Sequence, residues 1–339
     1  MGHVYKAVQW TPYKKAFDVG LALGVAAFLV AFVAASLLAF PADRQISAPQ
    51  LALRALGACA FGLLHVILLI GPLARLFPQT MAPYLYNRRH LGVTCFFLAL
   101  AHAAIALVWY SGFSDLDPLT AVLASNPRYD SLNGFPFESL GLVALAILFV
   151  MAATSHDFWN AHLGPRTWKA LHMAVYPAYA LLVAHVLLGA VQAEKAALYP
   201  ILVGIGAGTV TVAHLLAGWR QGARDRRVRV AEDWIAVGPL AAIGDKRAVI
   251  VTPPEGEQIA VFRDGETVHA ISNVCRHQGG PLGEGRIVDG CVTCPWHGFQ
   301  YRPQDGRSPP PYGEQVAIYR TRIEAGDVFV HPQPIFTPP

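Results

Sequence analysis

Six apolar runs, each close to the length that crosses a lipid bilayer, fill the first two thirds of the chain and leave few folds open to it. They lie at residues 17–40, 51–77, 90–110, 135–154, 168–191 and 198–217, with Pro, Asp, Asn and Gly marking the breaks. A bilayer core about 30 Å thick takes about 20 helical residues to cross. Inside it every backbone N–H and C=O must find a partner within the segment, which favours helices. The pattern therefore predicts a six-helix transmembrane bundle. Hydrophobic residues make up 54% of the chain and charged residues 14%, against roughly a quarter charged in soluble domains. That deficit ends near Arg220. The expected organisation is multi-domain: a six-span bundle over residues 1–217, a basic linker over 218–232, and a small all-β domain over 233–332. The first run is about 24 residues long, too long for the core of a cleavable signal peptide, so none is expected.

Basic residues orient the bundle, because they accumulate on the cytoplasmic side of membrane proteins. Lys6, Lys14 and Lys15 precede the first run, and Arg75, Arg88 and Arg89 lie between the second and third. Arg166 and Lys169 lie between the fourth and fifth, and Arg220, Arg224, Arg226, Arg227 and Arg229 follow the sixth. In a six-span arrangement all of these fall on one side. The other side holds Arg44, Arg54, Arg128 and Lys195 among Asp43, Asp115, Asp117, Asp130, Glu138 and Glu194. Both termini and the β domain are expected in the cytoplasm, in a multi-pass protein of a bacterial inner membrane. The net charge of +4 carries no aromatic-studded basic surface, and no nucleic-acid partner is expected. Gly204, Gly206 and Gly208 follow no strand, so they read as helix-packing positions rather than a nucleotide fingerprint.

The β domain reads as short strands, at 249–252, 259–262, 268–271 and 328–331, separated by turn signals such as Arg263-Asp264-Gly265. Within it sit Cys275-Arg-His277 and Cys294-Pro-Trp-His297, with sixteen residues between His277 and Cys294. Two Cys-plus-His pairs can bind zinc. The zinc reading is weakened because here each pair is one Cys with one His, sits in a loop of a small β domain and is closely followed by Gly. The spacing resembles that of the Rieske family, as do Gly279-Gly280-Pro281-Leu282 after the first pair and Pro295-Trp296-His297-Gly298 in the second. The resemblance implies a 2Fe–2S cluster with Cys275 and Cys294 on one iron and His277 and His297 on the other. Neutral imidazoles in place of thiolates raise its potential. Respiratory-complex members add one cysteine per loop to form a disulfide. Gly280 and Trp296 take those places here, so the domain resembles the ferredoxin and oxygenase branch, suited to a reducing compartment. The five cysteines are too few for a disulfide scaffold, and Cys291 reads as a buried strand residue.

Ionisable side chains inside spans are candidates for function. His65, His102, His172, His185 and His214 lie in or near the bilayer, with His90 and His156 at its cytoplasmic edge. His172 and His185 are thirteen residues apart, about 19.5 Å along a straight helix. Such a vertical pair suits haem iron, which takes axial imidazoles. Arg88-Arg89-His90-Leu91-Gly92 followed by His102, and Trp168-Lys169-Ala170-Leu171-His172 with Tyr176 and His185, resemble the ferric-reductase-like transmembrane domain. That group includes the haem-binding partner of bacterial methionine sulfoxide reductase, the metalloreductases and the NADPH oxidases. The resemblance implies b-type haem, one or two, with His102 and His185 as an axial pair and His172 as a further ligand. His90 is twelve residues from His102, a rotation of about 120°, which gives it the right depth and the wrong face. His65 lies deeper on a neighbouring span. Both remain candidate partners of His172. Pro177 is expected to kink the fifth span.

Joined, the halves imply a membrane electron-transfer oxidoreductase subunit without its own flavin or NAD(P)H site. A soluble cytoplasmic donor, such as a flavoprotein reductase or a ferredoxin, would feed the cluster. The haem would pass electrons to quinone or to an acceptor on the far side. No mononuclear-iron domain is expected, which sets oxygenase chemistry aside. Two rivals make different demands: a membrane-anchored redox sensor needs no haem, and a terminal ferric reductase needs iron reduction at the far side.

Overall fold

The computed structural model describes residues 12–39, 46–77, 80–81, 84, 87–112, 114–132, 134–155, 159, 163, 167–168, 170–193, 198–225, 229–231, 233–254, 257–277, 279–296 and 298–336. His297 and His156 lie outside them. Two compact units emerge. One comprises residues 1–69, 89–160 and 167–212, the other residues 70–88, 161–166 and 213–339.

The first unit is helical. Its helices are α1 (Pro12–Ala39), α2 (Ala48–Leu76), α3 (Arg88–Ser111), α4 (Pro118–Ala124), α5 (Phe137–Ala153), α6 (Val175–Ala193) and α7 (Leu198–Asp225), the ends of α2 and α7 continuing into the second unit. Against the expected six spans, five helical stretches among the described residues are long and apolar enough to cross a membrane. The segment expected as the fourth span is α5, only 17 residues long. Both of its limits have local causes. Pro136 stands at the N-cap and disfavours helical backbone in the residue before it. At the other end the Thr154 and Ser155 hydroxyls donate to the Val150 and Met151 carbonyls, each at 2.7 Å, competing with continued helix.

The fifth expected span is also interrupted. Residues 170–172 are helical, a turn follows at 173–174, and α6 restarts at Val175. Pro177 supplies the reason. It has no N–H to donate, and its ring would clash with the residue 173 carbonyl of a continuous helix. In the first turn of a restarted helix it costs nothing. His172 and His185 are therefore not on one straight helix.

Inward faces mix large apolar side chains such as Leu64, Leu68 and Phe96 with small and sulfur-bearing ones: Ala144 and Ala178 are fully buried, and Cys95 donates to the Ala60 carbonyl at 3.3 Å. Large apolar side chains such as Leu23, Val30, Phe97, Val108 and Ile205 point outward. That outward apolar surface suits a lipid surround, and the small buried residues allow close helix approach.

The β domain has two sheets. Strands β1 (Arg229–Ala231), β2 (Trp234–Pro239), β3 (Ala248–Val251), β4 (Ile259–Asp264), β5 (Thr267–Ser272), β9 (Ile318–Glu324) and β10 (Asp327–Phe336) form a seven-stranded antiparallel sheet in the order β1-β2-β10-β9-β5-β4-β3. Strands β6 (Arg286–Val288), β7 (Cys291–Thr293) and β8 (Gln300–Tyr301) form a small second sheet in the order β6-β7-β8. On β4, Ala260 and Phe262 face one core while Ile259 and Val261 face another. Period-two alternation puts successive side chains on opposite faces, so this strand is buried on both sides. The first of those cores also holds Cys275, Cys294 and Tyr301.

Candidate functional site

Two loops, one after β5 and one between β7 and β8, share a backbone pattern. The Cys275 N–H donates to the Gly280 carbonyl at 2.9 Å, and the Gly279 N–H donates to the Cys275 carbonyl at 2.6 Å. In the second loop Cys294 N–H donates to Phe299 O at 2.8 Å, and Gly298 N–H to Cys294 O at 2.9 Å. Each loop thus turns back four and five residues after its cysteine. The returning residues, Gly279 and Gly298, have φ of 68° and 69°, a region that side chains with a Cβ avoid. The motif glycines exist to close these turns.

Both cysteines are buried, at 0% and 2% exposure, and the described cysteines form no disulfide. Tyr301 Oη lies 3.4 Å from Cys275 Sγ. Burial, with the Cys275 and Cys294 charges beside it, holds the Tyr301 phenol well above its ordinary value. Against a metal-bound thiolate it is the hydrogen-bond donor. His277 is half-buried and stacks on Phe299, with ring centroids 4.8 Å apart and planes 5° apart. A Cβ on Gly280 would lie 2.8 Å from Cys294 Sγ and 3.0 Å from Trp296, so the two loops touch at the positions where respiratory-type domains are expected to hold their disulfide. Cys291 opens β7 and is half-buried, less enclosed than expected. The described residues gather no set of three His, Cys, Asp or Glu at metal-binding separation, the fourth expected ligand, His297, lying outside them. Two buried thiols and a half-buried imidazole fit a 2Fe–2S cluster, which Cys275, Cys294 and His277 would hold as thiolate and imidazole ligands.

Glu284, in the 3-10 turn that follows the first loop (Leu282–Glu284), accepts from Arg75 Nε of the α2 end at 3.5 Å within the second unit. Burial raises the Glu284 carboxyl above its ordinary value, and Arg75 opposes the shift.

The helical unit brings together two of the expected histidines. The His102 and His185 rings face each other with centroids 6.3 Å apart and planes at 89°. An imidazole nitrogen sits about 2 Å from a bound metal and about 1.1 Å from its own ring centre, so two rings on opposite sides of one ion lie about 6 Å apart. His102 Nδ1 donates to the Leu53 carbonyl of α2 at 2.9 Å, and His185 Nδ1 to the Phe137 carbonyl at 2.8 Å. With Nδ1 protonated, Nε2 carries the free lone pair, the tautomer a metal ligand needs. The two rings line a strongly apolar cavity whose wall includes Gly57, Phe61, Ala99, Glu138, Gly141, Leu145 and Leu182. Its apolar walls suit a flat, greasy cofactor.

The other candidates are placed elsewhere. His65 Nδ1 donates to Phe61 O at 2.8 Å, while its Nε2 accepts from Tyr179 Oη at 3.0 Å. His90 Nδ1 lies 2.6 Å from Asp18 Oδ1. His172 stacks on Trp168 at 3.8 Å between ring centroids, bonds Trp168 O through Nδ1 at 3.0 Å, and has Nε2 3.4 Å from Ser155 Oγ. Neither His65 nor His90 is brought to His172 by these contacts. Sequence reasoning counted Glu138 only as an acidic residue of the far side. It is buried, 7% exposed, and its Oε1 accepts from Tyr110, Ser125 and Asn126 at 3.0, 3.1 and 2.5 Å. The signal that could have found it is a glutamate in the first turn of an apolar helix.

Comparison with known proteins follows the same division. The family described as ferric reductase like transmembrane component matches residues 56–183, and the Rieske [2Fe-2S] domain family matches residues 233–321. The protein-methionine-sulfoxide reductase heme-binding subunit MsrQ of Brucella ovis is 33% identical over 133 residues, 39% of this chain and 54% of that protein. Magnetosome protein MamZ of Paramagnetospirillum magneticum is 34% identical over 140 residues, 40% of this chain and 19% of that protein. Cholesterol 7-desaturase nvd of Xenopus laevis is 42% identical over 64 residues, 18% of this chain and 14% of that protein. The chain thus spans about half the length of the MsrQ relative, at 54%, and less of the other two. Among solved structures, the ferredoxin of carbazole 1,9a-dioxygenase from Nocardioides aromaticivorans is 24% identical and has a TM-score of 0.28, covering 30% of this chain and all of that one. The chain is a multi-pass membrane protein that joins a ferric reductase-like transmembrane component to a Rieske [2Fe-2S] domain.

Proposed function

We propose that this protein passes single electrons between a cytoplasmic Rieske cluster and a transmembrane b-type haem, and onward to quinone or an acceptor on the far side. The observation that carries the reading is the facing pair His102 and His185 in an apolar cavity, in the same chain as the paired cysteine loops. A relative named as a heme-binding subunit supports haem as the occupant. His102 and His185 would hold it. Cys275 and Cys294 would hold one iron of the cluster, and His277 and His297 the other. Bound haem and cluster supply one-electron carriers, and the chain's own work is to hold them, exclude water and fix their ligands.

The orientation rests on the basic segments read above, with α5 as a sixth crossing. At 17 residues it is about 25 Å long, within the reach of a locally thinned bilayer or flanking polar side chains. The cluster then lies on the side of the Arg75 end of α2, where a soluble donor such as a flavoprotein reductase or a ferredoxin would reach it. The bonded placements of His65 and His90 support one haem at His102 and His185. A redox titration of the purified protein, followed by visible and low-temperature EPR spectra, tests the reading. It should yield one Rieske signal and a low-spin bis-histidine haem, each titrating as a one-electron centre. A Rieske signal with no Soret band would favour the anchored sensor instead.

The Tyr301 hydroxyl tunes the cluster. A donor to a ligating sulfur favours the more negative, reduced state. One hydrogen bond worth about 1 kcal/mol corresponds to roughly 40 mV for one electron. Tyr301→Phe is expected to lower the cluster midpoint by about that amount without loss of its EPR signal, as read by redox titration.

A further inference from the structure

Leu53 and Gly57 of α2, and Phe137 and Gly141 of α5, repeat one arrangement. In each, a backbone carbonyl accepts an imidazole Nδ1–H from a neighbouring helix, and the residue four positions on is glycine. In an α-helix the N–H of residue i+4 already bonds the carbonyl of residue i, so the imidazole shares that oxygen and must lie against residue i+4. There is no room for a side chain there. A Cβ on Gly57 would lie 2.9 Å from His102 Nδ1 and 3.0 Å from its Cε1. A Cβ on Gly141 would lie 2.8 Å from both Cε1 and Nδ1 of His185. Gly62 of α2 has nothing within 4 Å of that position, and Gly71 of the same helix meets only the end of the Arg88 side chain at 3.4 Å, so contact with an imidazole is not shared by every glycine of α2.

We infer that Gly57 and Gly141 are positioning residues which seat His102 and His185 on the helix backbone, fixing each ring's tautomer and rotation so that the axial planes stand perpendicular. The inference rests on the assignment of these two histidines as haem ligands. The carbonyl bond holds the proton on Nδ1 and leaves Nε2 for iron. Contact with two different helices holds the rings at 89° rather than letting them relax towards a common plane. Perpendicular axial imidazoles leave two d orbitals of ferric iron nearly degenerate, which gives a highly anisotropic low-spin EPR signal instead of an ordinary three-line rhombic one.

The test uses the full-length protein. Wild type should show the highly anisotropic signal; a rhombic bis-histidine signal with parallel-plane character would overturn the inference with no variant needed. Gly57→Ala and Gly141→Ala should each lower haem bound per Rieske centre about tenfold or more, the usual cost of disturbing a ligand's support, or shift the remaining signal towards rhombic. Gly62→Ala should do neither. Full haem content with an unchanged signal in both alanine variants would refute the role of the glycines. His102→Ala and His185→Ala separate the two levels: if they keep bis-histidine haem, the ligand assignment itself fails, and if they lose it while the glycine variants do not, only the positioning inference fails.

Discussion

Replacing His102 or His185 with alanine is expected to leave less than about a tenth of the wild-type haem, since even a residue that only supports a ligand is worth tenfold to a hundredfold in metal affinity. Both rings line the same cavity and face each other at 6.3 Å, so neither loss can be covered by the other. His65→Gln and His90→Asn should keep the Soret band close to wild type. Their rings are committed to Phe61 O and Tyr179, and to Asp18. The Rieske EPR signal, read in the same membranes, should be unchanged in all four variants, because the β domain has cores of its own. Haem-to-cluster ratios from Soret absorbance and integrated EPR intensity check the whole set. A His102→Ala protein with full low-spin haem would remove the basis for the proposed path.

The second large effect lies at the other end of the chain. Cys275→Ser or Cys294→Ser should abolish the Rieske signal, since a serine hydroxyl at neutral pH is a poor replacement for a thiolate on iron. Metal sites of this size contribute to the folding of the domain that holds them. Cys275 and Cys294 belong to the core around Phe262, Ile271 and Tyr301, so the loss should also make the β domain markedly more sensitive to proteolysis than the helical unit. Haem content should survive. The haem of such a variant should then no longer be reduced by a soluble donor to the cluster, while dithionite still reduces it directly.

Much of this molecule was legible from residue order, and the parts that were not share a cause. Side-chain chemistry at fixed spacing is visible in a sequence, which is why the two cysteine loops stood out, whereas His102 and His185 were paired only through the resemblance to the ferric-reductase-like domain. Backbone chemistry is not. The carbonyls of Leu53 and Phe137 that hold the two imidazoles carry no residue signature, and Gly57 and Gly141 looked like any other small residues of apolar helices. Strands β6, β7 and β8 have three, three and two residues, too short for any alternation to show, although they carry the second loop. The apolar run at 135–154 read as a full span because hydropathy does not register Pro136 or the competing hydroxyls of Thr154 and Ser155, which hold α5 to 17 residues. Pro177 was visible, but its effect was larger than a kink: the helix stops and restarts at Val175.

The central claim is that one chain carries electrons from cluster to haem. Rapid mixing of the oxidised, purified protein with a soluble one-electron reductant, followed at the cluster and Soret wavelengths together, tests it most directly. The account predicts that cluster reduction comes first, that haem reduction follows at a rate independent of protein concentration, and that Cys275→Ser abolishes the second phase. Haem that is reduced at the same rate with or without the cluster would contradict it.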